Sequence, residues 1–356
     1  MENNEKKQFA THLLLWYDNC KADRNLPWRN TKNPYFIWVS EIMSQQTRVE
    51  TVKSYYERFI KLLPTVEDLA KVDEDILLKL WEGLGYYSRA RNLQKAAKEL
   101  MERHGGALPA DYEALKKLSG IGTYTAGAIA SIAFSLPYGA VDGNVLRVMT
   151  RVTGDTSDIA LEQTKKAWTE EILRYLPPDH AGEFNQALME LGATVCIPNG
   201  VPRCFSCPIS SFCYAYQQEL TDQLPVKSKK KPRTKVYMNV FFIVHDNQIA
   251  IEKRTEKGVL KGLFQLPNTT SDVNPLEALQ DFGIFGADIK KMTLQKHIFT
   301  HIEWHMEGYF IQCHDVNENN FVWKTMETIQ NEYALPSAFK KIWTEGCNFS
   351  RNTENI

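Results

Sequence analysis

Two carboxylates in this sequence stand among residues that do little to solvate charge. Glu41 lies inside Trp38-Val39-Ser40-Glu41-Ile42-Met43, and Asp142 follows Leu136-Pro137-Tyr138-Gly139-Ala140-Val141. A carboxyl group among apolar neighbours has its charged form disfavoured and its pKa raised, which lets a glutamic acid hold a proton near neutrality. The local sequence supports equally a buried Glu paired with Arg or a hydroxyl for structural reasons. Asp142 also reads as a helix N-cap, because Asp-Gly-Asn before an apolar helical run is a common helix start. Capping and catalysis are compatible.

Cysteines form the second constellation. Of seven, Cys196, Cys204, Cys207 and Cys213 fall within 18 residues, while Cys20, Cys313 and Cys347 are scattered and read as ordinary thiols. The N-terminus is polar and leads into an amphipathic pattern, not into the apolar core of a secretion signal. In such a chain a tight cluster reads as a metal site before it reads as disulfides. The spacing, C-x7-C-x2-C-x5-C, has one close pair where structural zinc sites have two. A [4Fe–4S] cluster fits it better than zinc.

The elements that must position these residues are mostly helical. Residues 5–20 carry Phe9, Leu13, Leu14 and Trp16 or Tyr17 on one side, and a helix bearing Glu41 begins near Pro34. Between 50 and 117 come further helices with short breaks. One break, Gly83-Leu84-Gly85-Tyr86-Tyr87-Ser88-Arg89, has the aromatic and basic mixture of a DNA-facing loop. A helix C-cap followed by an amphipathic start explains it as well and is preferred on the residues alone. Gly120-Ile121-Gly122 separates a polar helix from one rich in small residues. Such a hairpin leaves backbone N–H groups free at the second helix's N-terminus, where phosphate can bind, although a tight αα turn alone would also use these glycines. The working expectation is that this turn grips a DNA backbone while Asp142 faces the sugar of a flipped nucleotide.

Composition bounds the rest. The 356 residues, 43% hydrophobic and 24% charged, exceed what one core usually serves, so at least two globular domains are expected. No stretch reaches the roughly 18 uninterrupted apolar residues of a membrane span, and a cytoplasmic protein is the simplest reading. Residues 1–222 carry 25 basic and 28 acidic side chains, and 237–356 carry 11 and 15. DNA binding would therefore rest on a local patch and backbone amides, since neither block is basic. Residues 223–236 carry six basic side chains and none acidic, the composition of a linker. Beyond them the periodicity changes to strands, with a hairpin turn at His245-Asp246-Asn247 and mixed α and β segments to about 345.

Taken together these stretches resemble the helix-hairpin-helix DNA glycosylases with a Gly/Pro-rich loop and catalytic Asp, in particular their adenine-removing branch, over essentially the whole chain. The matching residues are Leu26-Pro27-Trp28-Arg29, Trp38 to Met43 with Gln45-Gln46-Thr47, Gly83 to Tyr87, Gly120-Ile121-Gly122, Val141-Asp142-Gly143-Asn144-Val145, the four cysteines, and Phe299-Thr300-His301 with Trp304. The resemblance implies a multidomain protein. An all-α catalytic region spans 1–222, with a six-helix barrel over about 26–136, the hairpin at 118–124, and an iron–sulfur subdomain from 1–25 and 137–222. A basic linker at 223–236 and a C-terminal α/β domain over 237–356 follow. Arg254, Gly258, Gly262-Leu263-Phe264 and Pro267 make that domain look Nudix-like, but the glutamate-rich metal box is absent, so binding without hydrolysis is expected.

The resemblance further implies monofunctional removal of adenine mispaired with 8-oxoguanine or guanine from double-stranded DNA, by a monomer. Glu41 matches the general acid. Asp142 matches the carboxylate that stabilises the positive sugar, by charge alone or through a transient covalent link. Tyr124 and Asn144 match residues that position Asp142 and the sugar, and Trp28, Arg29 and Gln186 are candidates for the adenine pocket. Gln46, Thr47 and Tyr86, with Phe299, Thr300 and His301, match residues that read the lesion, while Gly120 and Gly122 hold backbone. One [4Fe–4S] cluster on Cys196, Cys204, Cys207 and Cys213, and a monovalent or divalent cation at the hairpin–phosphate contact, complete the expected ligands. Related endonuclease III-type enzymes carry at position 124 a lysine that cuts the strand through a Schiff base, which Tyr124 cannot form. An endonuclease III-like lyase and an iron–sulfur DNA-binding protein without chemistry are the alternatives. Ser44 where leucine is usual, Thr300 where serine is common, and a seven-residue first cysteine gap depart from the pattern.

Overall fold

The computed structural model describes residues 1–229, 231–255, 258–317 and 321–353; Lys230 of the basic linker and the last three residues lie outside them. Twelve helices come first among the described residues: α1 Asn3–Cys20, α2 Pro34–Ser44, α3 Val49–Leu62, α4 Val66–Lys71, α5 Glu74–Leu80 and α6 Ser88–Arg103, then α7 Tyr112–Lys116, α8 Thr123–Phe134, α9 Gly143–Thr153, α10 Glu162–Glu171, α11 Ala181–Thr194 and α12 Tyr214–Gln217. The chain then runs through β1 Thr234–His245, β2 Gln248–Lys253, β3 Phe264–Gln265, β4 Asn268–Thr270 and α13 Pro275–Asp281. It ends with β5 Ile284–Lys291, β6 Gln295–Ile298, β7 Ile302–Val316, β8 Val322–Thr325, α14 Met326–Glu332 and α15 Lys340–Thr353. Two compact units result, Met1–Lys71 with Arg91–Lys229, and Val72–Ala90 with Lys230–Ile356. Among the described residues no helix is long and apolar enough to cross a membrane.

In the first unit α8 is buried from Thr125 through Ile132, so it forms the centre of the helical array. Its small residues allow close approach: a Cβ on Gly127 would lie 2.1 Å from the Gly139 carbonyl oxygen. Asn185 of α11 fastens the same loop. Its side chain accepts from the Ala140 amide at 3.0 Å and donates to the Ser131 hydroxyl at 2.9 Å and the Tyr138 carbonyl at 2.8 Å. Residues 137–141, which deliver Asp142, are thereby tied to two helices. On α1, Phe9, Leu13 and Tyr17 recur at the four-residue spacing of one helical face and are buried. Phe9 meets Phe184 and Tyr175 edge-on, with ring centroids 6.4 and 5.7 Å apart. This core carries the terminal helix onto α11, whose opposite face lines the site.

The second unit is a mixed sheet in the order β3-β2-β1-β7-β5, with β4 on β1, β6 on β7 and β8 on β2. Its long central strands β1 and β7 run parallel, pairing Val236 with Trp304 and Phe242 with Phe310. Alternation sends Val240, Phe242 and Val244 to one core with Ile342 and Trp343 of α15, and Phe241 and Ile243 to another with Ala278 and Leu279 of α13. Helices on both faces explain why β1 reads as a nearly continuous apolar run. Segment 72–90 belongs to this unit: Lys79 donates to the Tyr333 carbonyl at 2.9 Å, Glu82 accepts from the Leu335 amide at 2.8 Å, and Lys253 pairs with Asp75 at 2.8 Å.

Candidate active site

Glu41 is placed by α2, whose start is fixed by Pro34 and by the Asn33 side chain accepting from the Tyr35 amide at 2.9 Å. Around it Ile37, Trp38, Val39, Ser40, Ile42 and Met43 are buried. Burial pushes the Glu41 carboxyl up to about 7, with a smaller upward push from Asp142. The Tyr124 hydroxyl and the Arg29 charge act in the opposite direction. Tyr124 donates to Glu41 Oε2 at 2.6 Å and also approaches the Met189 sulfur at 3.6 Å. Its own phenol is pushed far up by burial and by the two carboxylates, so it stays a donor.

Asp142 does cap a helix. Its Oδ1 accepts from the Asn144 and Val145 amides, both at 2.8 Å, and its Oδ2 from the Asn144 side chain at 2.8 Å. Burial raises its pKa, while these donors and Arg147 pull it down. The cap orients the carboxylate and stabilises its charge with N–H donors, and among the described residues no ion pair is formed directly on it. Asn144 in turn accepts from Arg147 Nη2 at 2.9 Å, and Arg147 donates to the Cys196 and Gly192 carbonyls at 2.8 and 2.7 Å.

The hairpin lies between α7 and α8. Gly120 takes φ +75°, a left-handed conformation, and a Cβ there would lie 2.7 Å from Asn92 Cβ. Gly122 is the N-cap of α8 and no side chain caps it, which leaves the first-turn N–H groups to an external acceptor. Glu99 accepts from the Ser119 amide at 2.9 Å and hydroxyl at 2.7 Å, holding the entry to the turn.

Of the pocket candidates, Arg29 and Gln186 line a cavity of about 280 Å³ together with Lys32, Ile132 and Glu183. Trp28 is buried and meets Tyr56 edge-on at 5.3 Å. Tyr17 donates to Gln186 Oε1 at 2.9 Å. Arg29 and Arg24 share Glu190, which is 2% exposed; Arg24 Nη1 reaches its two oxygens at 3.2 and 3.0 Å. Neither Arg24 nor Glu190 stands out in a motif. The signal for Glu190 was its place in Ala187-Leu188-Met189-Glu190-Leu191, the same isolation among apolar residues that marks Glu41.

The four clustered cysteines line one cavity with Val148, Val152, Leu191 and Ile209, and Arg151 Nη1 donates to Cys196 Sγ at 3.2 Å. Among the described residues no three His, Cys, Asp or Glu side chains converge as a single-ion site. Gln46 follows the end of α2 with φ +56° and is exposed, and Thr47 donates to the Gln45 carbonyl at 3.3 Å. In the second unit Tyr86, also left-handed at φ +49°, shares a 2.9 Å hydrogen bond with the Thr300 hydroxyl. Phe299 lies edge-on between His297 and Trp304, at 4.6 and 4.8 Å, and His301 closes the turn between β6 and β7.

A helical unit whose glycine-turned hairpin delivers a tyrosine onto one buried carboxyl, with a second carboxylate capping the next helix, defines a helix-hairpin-helix DNA glycosylase. The family described as HhH-GPD superfamily base excision DNA repair protein matches residues 39–178, and the NUDIX domain matches 239–345. An adenine DNA glycosylase of Buchnera aphidicola subsp. Baizongia pistaciae is 35% identical, covering 97% of this chain and 99% of the relative. The mouse adenine DNA glycosylase is 34% identical over 97% of this chain and 76% of its own length. A thermostable thymine-DNA glycosylase superposes with a TM-score of 0.55 at 30% identity, covering 60% of this chain and 98% of that one. The chain belongs to the adenine DNA glycosylases, the MutY family.

Proposed function

We propose that this glycosylase excises adenine mispaired with 8-oxoguanine or guanine from duplex DNA by hydrolysis, with Glu41 as general acid and Asp142 as stabiliser of the sugar cation. The observation that carries the reading is the Glu41–Tyr124 contact at 2.6 Å beside a second, amide-bound carboxylate. Adenine must leave the stack to be reached, at a cost of a few kcal/mol. A protonated Glu41 gives its proton to the departing base, whose glycosidic electron pair leaves with it. The sugar becomes positive as that bond lengthens, and Asp142, whose charged form two amides and Asn144 favour against the effect of burial, stabilises the charge until water attacks. Tyr124 holds no amine, so the reaction ends at base removal.

Phe299, Thr300, His301 and Tyr86 read the oxidised guanine, with Gln46 and Thr47 contributing from the catalytic unit. Helix α13 offers only Glu277 and Asp281, which supports binding without nucleotide hydrolysis. Cys196, Cys204, Cys207 and Cys213 hold a [4Fe–4S] cluster; their shared apolar cavity and the cationic donor on Cys196 suit buried thiolate sulfur. The cluster would supply local order and charge there. Iron and sulfide analysis tests the assignment, and zinc near one equivalent without iron overturns it.

The central experiment is single-turnover adenine release from duplexes with A opposite 8-oxoguanine, G, C or T. Glu41→Gln and Asp142→Asn should each slow release by at least about a hundredfold. Undiminished release in both defeats the mechanism.

A further inference from the structure

Glu190 lies between two guanidinium groups at the edge of the site. It is 2% exposed, receives both oxygens' contacts from Arg24, and pairs with Arg29. Arg29 lines the cavity, and its charge is felt at Glu41, where it favours the ionised form. Two cations and one anion leave the Arg24–Glu190–Arg29 cluster with a single net positive charge. Without Glu190 the cluster would carry two, and the Arg29 charge that already favours the ionised form of Glu41 would lose its neutralising partner.

We propose that Glu190 is a positioning residue that sets the pH range of base removal: it anchors Arg29 at the cavity wall and cancels enough of its charge for Glu41 to remain a proton donor. The groups that bear on Glu41 are Tyr124 from α8, Asp142 from the loop before α9, and Arg29 from the turn before α2. Those around Glu190 are Arg24 and Arg29, with Tyr17 and Cys20 of α1 also sensing its charge. Glu183 lies on the same helix and acts on Tyr17. Arg24 is thus a competitor: its two contacts draw on the carboxylate that neutralises Arg29. Removing Glu190 exposes Glu41 to more positive charge and lowers its pKa, whereas removing Arg24 leaves Glu190 wholly to Arg29 and raises it.

The inference rests on Glu41 being the general acid, and the test separates the two. Single-turnover adenine release from an A·8-oxoguanine duplex at saturating enzyme is measured from about pH 5 to 9 for the wild type, Glu190→Gln, Glu190→Asp and Arg24→Met. The midpoint of the alkaline limb should fall by roughly one unit in Glu190→Gln, stay near wild type in Glu190→Asp, and rise in Arg24→Met. A role confined to folding would scale the rate without moving the midpoint. Should Glu190→Gln not fold, the upward shift in Arg24→Met stands as the deciding measurement. Midpoints that do not move, or that move in the same direction in both charge-removing variants, overturn the inference. Glu41→Gln and Asp142→Asn in the same assay identify the other failure, because wild-type release in those variants removes the catalytic reading itself.

Discussion

Glu41 carries a cost that its chemistry explains. Its pKa in the folded chain is about 7, against an ordinary value of 4.5. The folded state therefore binds a proton that the unfolded state has released between these two values. The stability this proton confers is complete below about pH 4.5 and lost as pH rises toward 7, to a total on the order of 3 kcal/mol. Glu41→Gln should accordingly melt at a higher temperature than the wild type at pH 8 and close to it at pH 5, as read by thermal unfolding at the two values. Activity has the opposite dependence on the two carboxyls. Release should fall as pH rises through about 7, when Glu41 loses its proton, and fall again in acid as Asp142, itself raised by burial, gains one. Glu41 was legible in the sequence because a lone acid in an apolar helix is rare enough to mark a position. Glu190 met the same criterion, but its partners Arg24 and Arg29 lie more than 160 residues away. Local pattern does not show such pairings.

The helices place these groups by approaching more closely than ordinary side chains permit. Gly127 of α8 rests against the Gly139 carbonyl, and Asn185 fixes Ala140 and Tyr138 from α11. Gly127→Ala must therefore push residues 139–142 away from α8, carrying Asp142 with them. We expect a loss of about 1–3 kcal/mol in denaturant unfolding together with a fall in single-turnover rate of at least tenfold. Asn185→Ala leaves an amide and a carbonyl of that loop without their partners, and a similar loss of stability should follow. The cap at Asp142 and the hairpin glycines could be read from the sequence, since Asp-Gly-Asn and Gly-x-Gly demand particular backbone conformations wherever they occur. The role of Gly127 could not: it depends on which loop crosses α8, and a glycine in an alanine-rich helix gives no sign of that.

The two units differ in how continuously the chain supplies them. The linker composition marks a boundary near 230, but residues 72–90 join the second unit through Lys79, Glu82 and the Tyr86–Thr300 contact. The sequence shows a strand-rich C-terminal region and conceals this exchange, as it conceals the parallel pairing of β1 with β7, because neither leaves a local period. Cleavage within residues 227–235 should consequently leave the C-terminal fragment held by segment 72–90, and the two fragments should elute together in size-exclusion chromatography. Separation after mild cleavage would contradict that division. During synthesis the asymmetry becomes one of timing. Lys79 leaves the ribosome 254 residues before the Tyr333 carbonyl that accepts its hydrogen bond. For most of translation Lys79 and Glu82 lack the later backbone partners, the Tyr333 carbonyl and the Leu335 amide, that hold them in the finished chain. A ribosome stalled before residue 333 would leave residues 72–90 without these partners, so the segment waits on nearly the whole of the remaining synthesis before it is held in its unit.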